Sequence, residues 1–221
     1  MKILNLFAGI GGNRTLWGDQ HEITAIEYDP EIANIYKQRF PNDVVIIEDA
    51  YNYFLENFHN FEMIWGSPPC TTHTRLTRTH VGQRYNKTNI KLKLPDLRLY
   101  SIIIFLKEHF RGHWIIENVK GYYKPLIQPT NEIGRHWIWT NITLLSKKKK
   151  TKDTWTAFRL DKATINDCCK MKQINLDFSK ISLTDSKKKQ IINNCVDPEF
   201  GKYILDSVIN KKQKTIMDKW K

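Results

Sequence analysis

Short apolar runs alternate with longer segments of helical character over the first 120 of the 221 residues. The runs that predict strands are Ile3–Phe7, Ile23–Glu27, Val44–Ile47, Met63–Trp65, Trp114–Glu117 and, further on, Trp137–Leu145. The segments that predict helices are Glu31–Phe40, Tyr51–Phe58, Asp96–Phe110 and the tail from Phe200 onward. Such alternation is typical of a parallel sheet with helices on both faces. We therefore predict an α/β fold with a doubly wound, mostly parallel sheet.

A thiol and a carboxylate follow two of the predicted strands. Cys70 ends the motif Gly-Ser-Pro-Pro-Cys, and Glu117 begins the motif Glu-Asn-Val 47 residues later. Because parallel strands end at the same edge of a sheet, both groups can face one cleft. A thiolate adds to an electron-poor carbon, and a carboxylic acid can protonate the ring that receives it. The pairing therefore suits attack on a pyrimidine.

A glycine-rich turn, Phe-Ala-Gly-Ile-Gly-Gly at residues 7–12, follows the first strand. Its glycines allow a tight turn and a close approach of a ligand to the backbone. Arg14 stands where a dinucleotide fingerprint would have its third glycine, which disfavours a nicotinamide cofactor. Glu27 and Asp49 end the next two strands and could accept hydrogen bonds from ribose hydroxyls and an adenine amino group. These acids favour an adenosine ligand that carries no phosphate.

Positive charge is concentrated in the last two thirds of the chain. Residues 1–70 hold 4 Lys and Arg against 10 Asp and Glu, whereas residues 71–221 hold 31 against 13. The second region would attract a polyanion, so we expect a nucleic-acid partner. The candidate phosphate contacts are Arg75, Arg78, Arg84 and the lysine runs at 147–150 and 187–189.

Several other classes of protein do not fit the composition. The four cysteines have no metal-ligand spacing, so no metal is expected and the thiols should be reduced. No apolar stretch approaches the roughly 18 residues of a membrane span, and the start lacks a signal-peptide pattern. We expect a monomeric cytoplasmic protein with no membrane partner.

In this order, the segments resemble the cytosine-5 DNA methyltransferases, which use S-adenosylmethionine. The turn at 7–12, Glu27 and Asp49 are similar to the family's first three motifs, Pro-Pro-Cys to its nucleophile motif, and Glu-Asn-Val to a later motif. Asp-Leu-Arg at 96–98 and Asn-Cys-Val-Asp-Pro at 194–198 are similar to elements beside the cofactor. Of the family's Gln-x-Arg-x-Arg, this chain has only Arg135.

The resemblance implies that Cys70 adds to carbon 6 of a flipped-out cytosine while Glu117 protonates or hydrogen-bonds ring nitrogen 3. Arg135 would hold the exocyclic oxygen, and Asn118 would help to anchor Glu117. The implied catalytic residues are Cys70, Glu117 and Arg135. The implied cofactor-binding residues are Phe7, Gly9, Gly11, Glu27, Tyr28, Asp49, Ala50, Pro68 and Asn194. The implied substrate-binding residues are Ser67, Asn118, Arg75, Arg78 and Arg84.

The resemblance also implies a division of the chain. Residues 1–146 would form the catalytic and cofactor-binding domain, 147–186 a small basic target-recognition lobe, and 187–221 a segment that returns to the catalytic domain. The bias of the chain toward Lys, Asn and Ile suggests an AT-rich genome. The compact lobe suits a phage or mobile-element enzyme, or one of a restriction–modification system, that acts on short sites in double-stranded DNA. A cytosine-5 methyltransferase of tRNA would share every catalytic residue, and an inactive nucleic-acid-binding homologue would share the fold. A nicotinamide oxidoreductase leaves Cys70 and Glu117 unexplained, and an amino-methylating enzyme would want an aromatic residue after Pro-Pro.

Overall fold

The computed structural model describes residues 1–74, 94–144 and 164–217. The strands found there are β1 (Lys2–Leu6), β2 (Glu22–Glu27), β3 (Val44–Ile47), β4 (Met63–Gly66), β5 (His113–Val119), β6 (Asn131–Ile133) and β7 (His136–Thr140). They form one sheet in the order β3-β2-β1-β4-β5-β7-β6. Strands β1 to β5 run parallel, and β7 runs antiparallel to both of its neighbours. The predicted doubly wound, mostly parallel sheet is confirmed.

The helices of the same residues are α1 (Pro30–Arg39), α2 (Ala50–Asn57), α3 (Arg98–His109), α4 (Ile165–Met171), α5 (Asp185–Asn194) and α6 (Pro198–Met217). Short 3-10 helices lie at Asn13–Leu16, Phe58–Asn60 and Phe178–Lys180. Asp29 and Asp49 begin α1 and α2, because each carboxylate accepts hydrogen bonds from two amides of the first turn. An aspartate two residues after β2 and another two residues after β3 therefore start the helices that follow.

The five parallel strands and the first three helices lie within two residues of their predicted bounds. Strand β6 was not predicted, because three residues are too few to show an alternation. The last predicted strand ends at Thr140 instead of residue 145. There the side chain of Asn141 accepts from the Trp114 amide at 2.9 Å and donates to the Gly112 carbonyl at 2.8 Å, replacing further strand pairing.

Helices cover both faces of the sheet, since successive strand residues point to opposite sides. On one face, α2 and α3 bury the cluster of Leu4, Leu6, Ile64, Ile116, Phe54, Ile103 and Leu106. On the other, α6 buries the cluster of Ile3, Trp65, Ile115, Ile138, Phe200, Ile204 and Val208. The candidate site lies at the sheet edge where β1, β2, β4 and β5 end.

The described part of the predicted recognition lobe packs on this body through α4. Its buried residues join α5 and α1 in one cluster of Cys168, Cys169, Phe178, Ile191, Ile192, Cys195, Ile10 and Ile35. The division predicted at residue 186 falls inside α5. None of the described helices is long and apolar enough to cross a membrane, and no metal-binding group of His, Cys, Asp and Glu occurs among the described residues.

Candidate active site

The segment that carries Cys70 is fixed against the segment that follows β5. Strands β4 and β5 are parallel neighbours, so Cys70 and Glu117 come to the same edge of the sheet. The amides of His73 and Thr74 donate to the Cys70 carbonyl at 2.9 and 3.0 Å, which forms a tight turn. Thr74 then pairs with Gly121 in an isolated β-bridge. Cys70, the candidate nucleophile, therefore lies on a tight turn whose last residue pairs with the segment that follows β5.

Asn118 ties the two strand ends together. Its side-chain amide donates to the Pro68 carbonyl at 3.0 Å, and its side-chain oxygen accepts from the Val119 amide at 2.9 Å. The residue is 2% exposed, so both hydrogen bonds lie away from water. Asn118 was predicted to bind substrate or to anchor Glu117. Its contacts with Pro68 and Val119 hold the Pro-Pro-Cys segment in place, and its role at the substrate stays a prediction.

The three predicted catalytic residues act on one another electrostatically. Burial raises the pKa of the Cys70 thiol, the negative charge of Glu117 raises this pKa further, and the positive charge of Arg135 opposes the rise. Glu117 is 8% exposed, whereas Arg135 is exposed in the turn between β6 and β7. The Arg135 carbonyl accepts from the Lys120 amide at 2.8 Å, which fixes this turn beside the end of β5. Glu117 and Arg135 thus both lie close enough to Cys70 to influence its thiol electrostatically.

A fourth residue of this group was not predicted. His136 lies next to Arg135, and its Nε2 is 3.9 Å from Oε2 of Glu117. Burial lowers the pKa of His136, while Glu117 acts to raise it. A lone histidine on a strand gives no sequence signal, because its approach to Glu117 depends on the register of β7 against β5.

The glycine-rich turn has the unusual backbone that its sequence predicts. Phe7, Gly9 and Gly11 have φ angles of 55°, 56° and 75°, in the left-handed region, and of these three residues only Phe7 carries a side chain. A Cβ on Gly9 would meet nothing within 4 Å, so this part of the turn is open to a ligand. A Cβ on Gly11 would lie 2.7 Å from the Tyr36 ring, so this glycine permits α1 to pack.

Glu27 joins the turn to the start of α1. Its two carboxylate oxygens accept from the amides of Gly9 and Asp29, both at 2.9 Å. The remaining lone pairs of each oxygen are suited to ribose hydroxyls. Tyr28, the next residue, is 76% exposed and offers an aromatic surface beside this carboxylate. An open turn, a fixed carboxylate and an exposed ring fit an adenosine group.

Asp49 has a structural contact set as well as its predicted place at the cofactor. One carboxylate oxygen accepts from the amides of Tyr51 and Asn52 at 2.9 and 3.1 Å. The other oxygen lies 3.9 Å from the guanidinium of Arg98, which stacks 4.6 Å from the centre of the Tyr51 ring. Arg98 also pairs with Asp96 at 2.7 Å. These contacts link Asp96 and Arg98, at the start of α3, to Asp49 at the start of α2. Ala50, the first residue of α2, follows Asp49 directly.

The C-terminal segment reaches the glycine-rich turn. A Cβ on Gly12 would collide with the Val196 carbonyl and the Cys195 sulfur, so the two segments touch at the backbone. Asn194 ends α5 in an exposed position next to this contact.

Two further predicted site residues precede Cys70. Pro68 is buried, and Ser67 accepts a hydrogen bond from the Trp65 indole at 2.8 Å.

Arg14 has a role that its position in the turn did not reveal. Its guanidinium binds both carboxylate oxygens of Asp43 at 2.9 and 3.1 Å, and the Tyr36 hydroxyl donates to the same carboxylate at 2.8 Å. Both Arg14 and Asp43 are 3% exposed. The residue that replaces a third glycine therefore forms a buried ion pair behind the cofactor turn.

The predicted phosphate contacts are mostly outside the described residues. Arg75, Arg78, Arg84 and the lysine run at 147–150 fall there. In the second run, Lys187 binds Asp29 at 3.0 Å and Lys188 is 7% exposed. This run is therefore engaged with the protein through Lys187 and Lys188.

Comparison with known proteins gives a consistent result. The family model for C-5 cytosine-specific DNA methylase matches residues 1–132. The human tRNA (cytosine(38)-C(5))-methyltransferase is 27% identical over 130 residues, which cover 55% of this chain and 31% of that protein. The rat protein of the same name is 28% identical over 131 residues, with the same coverage. The chain thus spans 31% of the length of these curated relatives.

Among solved structures, the Entamoeba histolytica methyltransferase EhMeth matches with a TM-score of 0.57 and 14% identity. The match covers 96% of this chain and 98% of that chain. At this identity the likeness concerns the fold alone, and it extends to nearly the whole chain.

Proposed function

The chain belongs to the C-5 cytosine-specific DNA methylase family, and on that premise we propose that it methylates carbon 5 of cytosine in double-stranded DNA. The cofactor is S-adenosylmethionine, as in the family. The observation that carries the proposal is the meeting of Cys70, Glu117 and Arg135 at one sheet edge, where Glu117 and Arg135 act on the Cys70 thiol with opposite sign.

The cofactor supplies an electrophilic methyl group when it is bound. The residues proposed to hold it are the open turn at Gly9, the carboxylate of Glu27, the ring of Tyr28, and Asp49 with Ala50 at the start of α2. The turn at Phe7 and Gly11, the buried Pro68 and the exposed Asn194 complete the proposed cofactor surface.

Cys70 begins the proposed reaction. Its sulfur forms a bond to carbon 6 of cytosine. The electrons of the carbon 5–carbon 6 double bond then form a carbon 4–carbon 5 double bond, and those of the carbon 4–nitrogen 3 double bond move to nitrogen 3. Glu117 gives a proton to nitrogen 3, so that no full negative charge develops on the base. After methylation, carbon 5 loses its proton to a base, the sulfur–carbon bond breaks, and nitrogen 3 returns its proton to Glu117. Cys70 leaves as the thiolate with which it began.

The other residues support this exchange. Arg135 is proposed to bind the exocyclic oxygen of the base, where negative charge increases during the addition. Asn118 keeps the Cys70 segment beside β5 through its bond to the Pro68 carbonyl. The target carbon is inaccessible in a stacked duplex, so the base must be flipped out at a cost of a few kcal/mol. Ser67 and the arginines at 75, 78 and 84 are the residues we propose for contacts with the flipped strand.

We further propose that residues 147–186 read the target and that the chain acts within a phage or a restriction–modification system. The basic charge of the last two thirds supports nucleic acid as the substrate.

A tRNA substrate is the second candidate, and a specific observation favours it. The curated relatives named above are tRNA (cytosine(38)-C(5))-methyltransferases, whereas the matching family model describes a DNA methylase. Both substrates present the same cytosine ring to Cys70 and Glu117. The two proposals therefore differ in the macromolecule and share the chemistry.

The test is methyl transfer from labelled S-adenosylmethionine to unmethylated duplex DNA and, separately, to unmodified tRNA. Wild type would be compared with Cys70→Ala and with Cys168→Ala, which removes a thiol from the cluster between α4 and α5. Label on carbon 5 of DNA cytosine that only Cys70→Ala loses is the expected result. Label on tRNA alone would show that tRNA, and not DNA, is the substrate. No label on either would refute the proposed activity and favour a nucleic-acid-binding homologue.

A further inference from the structure

His73 lies in the tight turn that begins at Cys70, and both of its backbone groups are fixed. Its amide donates to the Cys70 carbonyl at 2.9 Å, and its carbonyl accepts from the Tyr122 amide at 3.1 Å. Tyr122 follows the end of β5 by three residues, so His73 connects the turn of Cys70 to the segment after the Glu-Asn-Val motif. The residue is 2% exposed. Its imidazole therefore lies inside the protein, away from water.

The imidazole has a polar partner there. Its Nδ1 lies 2.5 Å from the hydroxyl oxygen of Tyr123, and the two ring centres are 5.9 Å apart. Burial lowers the pKa of His73, whereas the charge of Asp96 and a hydrogen bond with the Asp96 backbone act to raise it. Burial also raises the pKa of Tyr123. At pH 7 the pair is thus a neutral imidazole and a protonated hydroxyl, which can share one hydrogen bond.

A further contact ties the same turn to the residues before α3. The side-chain oxygen of Thr72 accepts from the Asp96 amide at 3.0 Å. The turn is thus held from two directions, by Asp96 on one side and by Tyr122 and Tyr123 on the other. The contact between His73 and Tyr123 joins side chains 50 residues apart, so a substitution at either position removes it and leaves the backbone bonds in place.

A buried imidazole is costly unless its polar atoms have partners, whereas an apolar ring would carry no such cost. The bond to Tyr123 offsets this cost and fixes the ring in one orientation, since a satisfied polar contact specifies a single arrangement of a core. The pair of His73 and Tyr123 is therefore better suited to fixing the position of the turn than to adding stability.

We propose that His73 is a positioning residue for Cys70: through its bond to Tyr123 it holds the turn so that the Cys70 sulfur meets carbon 6 of the flipped-out cytosine. The inference rests on the proposed function, because carbon 6 is the atom that Cys70 is proposed to attack. His73 acts on the reaction only through the position of Cys70 and exchanges no proton with the substrate.

The expected effect is a loss of rate without a loss of binding. A displacement of about 1 Å can lower a rate about 10²-fold, so we expect His73→Phe and Tyr123→Phe to lower kcat by about 10- to 100-fold. KM for nucleic acid and for S-adenosylmethionine should change little. His73→Asn should recover much of the rate, because its side-chain oxygen can accept from the Tyr123 hydroxyl close to the place of Nδ1.

The first experiment measures kcat and KM for these variants and for the double variant His73→Phe/Tyr123→Phe. If the two residues act as one contact, the double variant should lose no more than the worse single variant. Tyr122→Phe is a matched control, because it keeps the amide that binds the His73 carbonyl. His59→Phe is the second control, at an exposed histidine in the 3-10 helix after α2. Losses that multiply, or a kcat of His73→Phe within about 2-fold of the controls, would overturn the inference.

The second experiment needs neither substrate nor cofactor. Alkylation by iodoacetamide would be followed by mass spectrometry at each thiol, and half-buried Cys70 would be compared with buried Cys168, Cys169 and Cys195 in the same sample. Loss of one hydrogen bond from the turn should raise the rate at Cys70 by about 2- to 12-fold in His73→Phe and Tyr123→Phe, with the other thiols unchanged.

The buried thiols separate positioning from a general loosening of the fold. An equal acceleration at all four thiols, or none at Cys70, would overturn the inference whatever the enzyme methylates. A wild type inactive on both nucleic acids would refute the proposed function. Faster alkylation at Cys70 alone would in that case still support the hold of His73 on Cys70.

Discussion

The buried ion pair of Arg14 and Asp43 allows a quantitative prediction. The two groups form two hydrogen bonds, at 2.9 and 3.1 Å, and each residue is 3% exposed. With charge centres about 4 Å apart and an effective dielectric constant of about 20, their attraction is about 4 kcal/mol. Removal of both charges from water costs several kcal/mol per ion, which offsets much of this attraction. The pair as a whole should therefore contribute little to the free energy of unfolding.

Removal of one partner is a different perturbation, because the other charge remains buried. Arg14→Met leaves Asp43 with the Tyr36 hydroxyl but with no cation on its carboxylate oxygens. Such a loss typically costs about 3–5 kcal/mol. We expect Arg14→Met to lower the free energy of unfolding by this amount and Asp43→Asn to lower it by less, because Arg14 keeps its contact with Asp19 at 3.2 Å in that variant. The double variant should recover most of the loss, since it removes the unpaired charge.

The measurement is urea unfolding at equilibrium, followed by fluorescence of the buried tryptophans Trp17 and Trp65. Arg111→Met is the control, because it removes an exposed arginine from the loop before β5. Cofactor affinity should also fall in Arg14→Met, since Arg14 lies directly behind the glycine-rich turn. A loss below about 1 kcal/mol, the range of an exposed ion pair, would refute the reasoning about burial. Additive losses in the double variant would refute the pairing.

Three further changes test the site. Asn118→Ala leaves two buried backbone groups without their partner, each worth about 1–3 kcal/mol, so unfolding by urea should occur at lower denaturant and Cys70 should be alkylated faster. Glu117→Gln should lower the pKa of the Cys70 thiol, because Glu117 contributes to raising it; alkylation at pH 8 should then be faster while methyl transfer is lost. A slower alkylation would contradict this assignment. Gly12→Ala should destabilise the protein strongly, because the new methyl group meets the Val196 carbonyl; a normal melting temperature would show that the C-terminal contact yields easily.

The sequence was sufficient for the parallel part of the sheet. Each of its strands is a short apolar run, and such runs stand out from helical segments. Strands β1, β4 and β5 are in addition buried on both faces of the sheet. The joint placement of Cys70 and Glu117 also followed from the sequence, because strand ends of a parallel sheet share an edge. The fold class is accordingly confirmed, while the roles of the predicted site residues remain predictions.

The contacts that depend on register and packing could not be predicted in this way. His136 approaches Glu117 only because β7 pairs antiparallel with β5, a pairing that β6 and its turn help to determine. Arg14 pairs with Asp43, which lies 29 residues later in the chain. No local sequence pattern links the two segments. Lys187 was expected to be a phosphate contact, but it pairs with Asp29 across 158 residues. Long-range side-chain pairs of this kind become visible only in the folded chain.

The helix α6 makes the matched family segment dependent on the end of the chain. Residues 1–132 stop before β7, which lies between β5 and β6, and long before Phe200, Ile204 and Val208 close one face of the sheet. A fragment that ends at residue 132 would expose that apolar face and leave β5 as an open edge, a combination that promotes aggregation. Strand β1 and helix α6 therefore belong to one folding unit. During synthesis, this apolar face stays uncovered until α6 has left the ribosome.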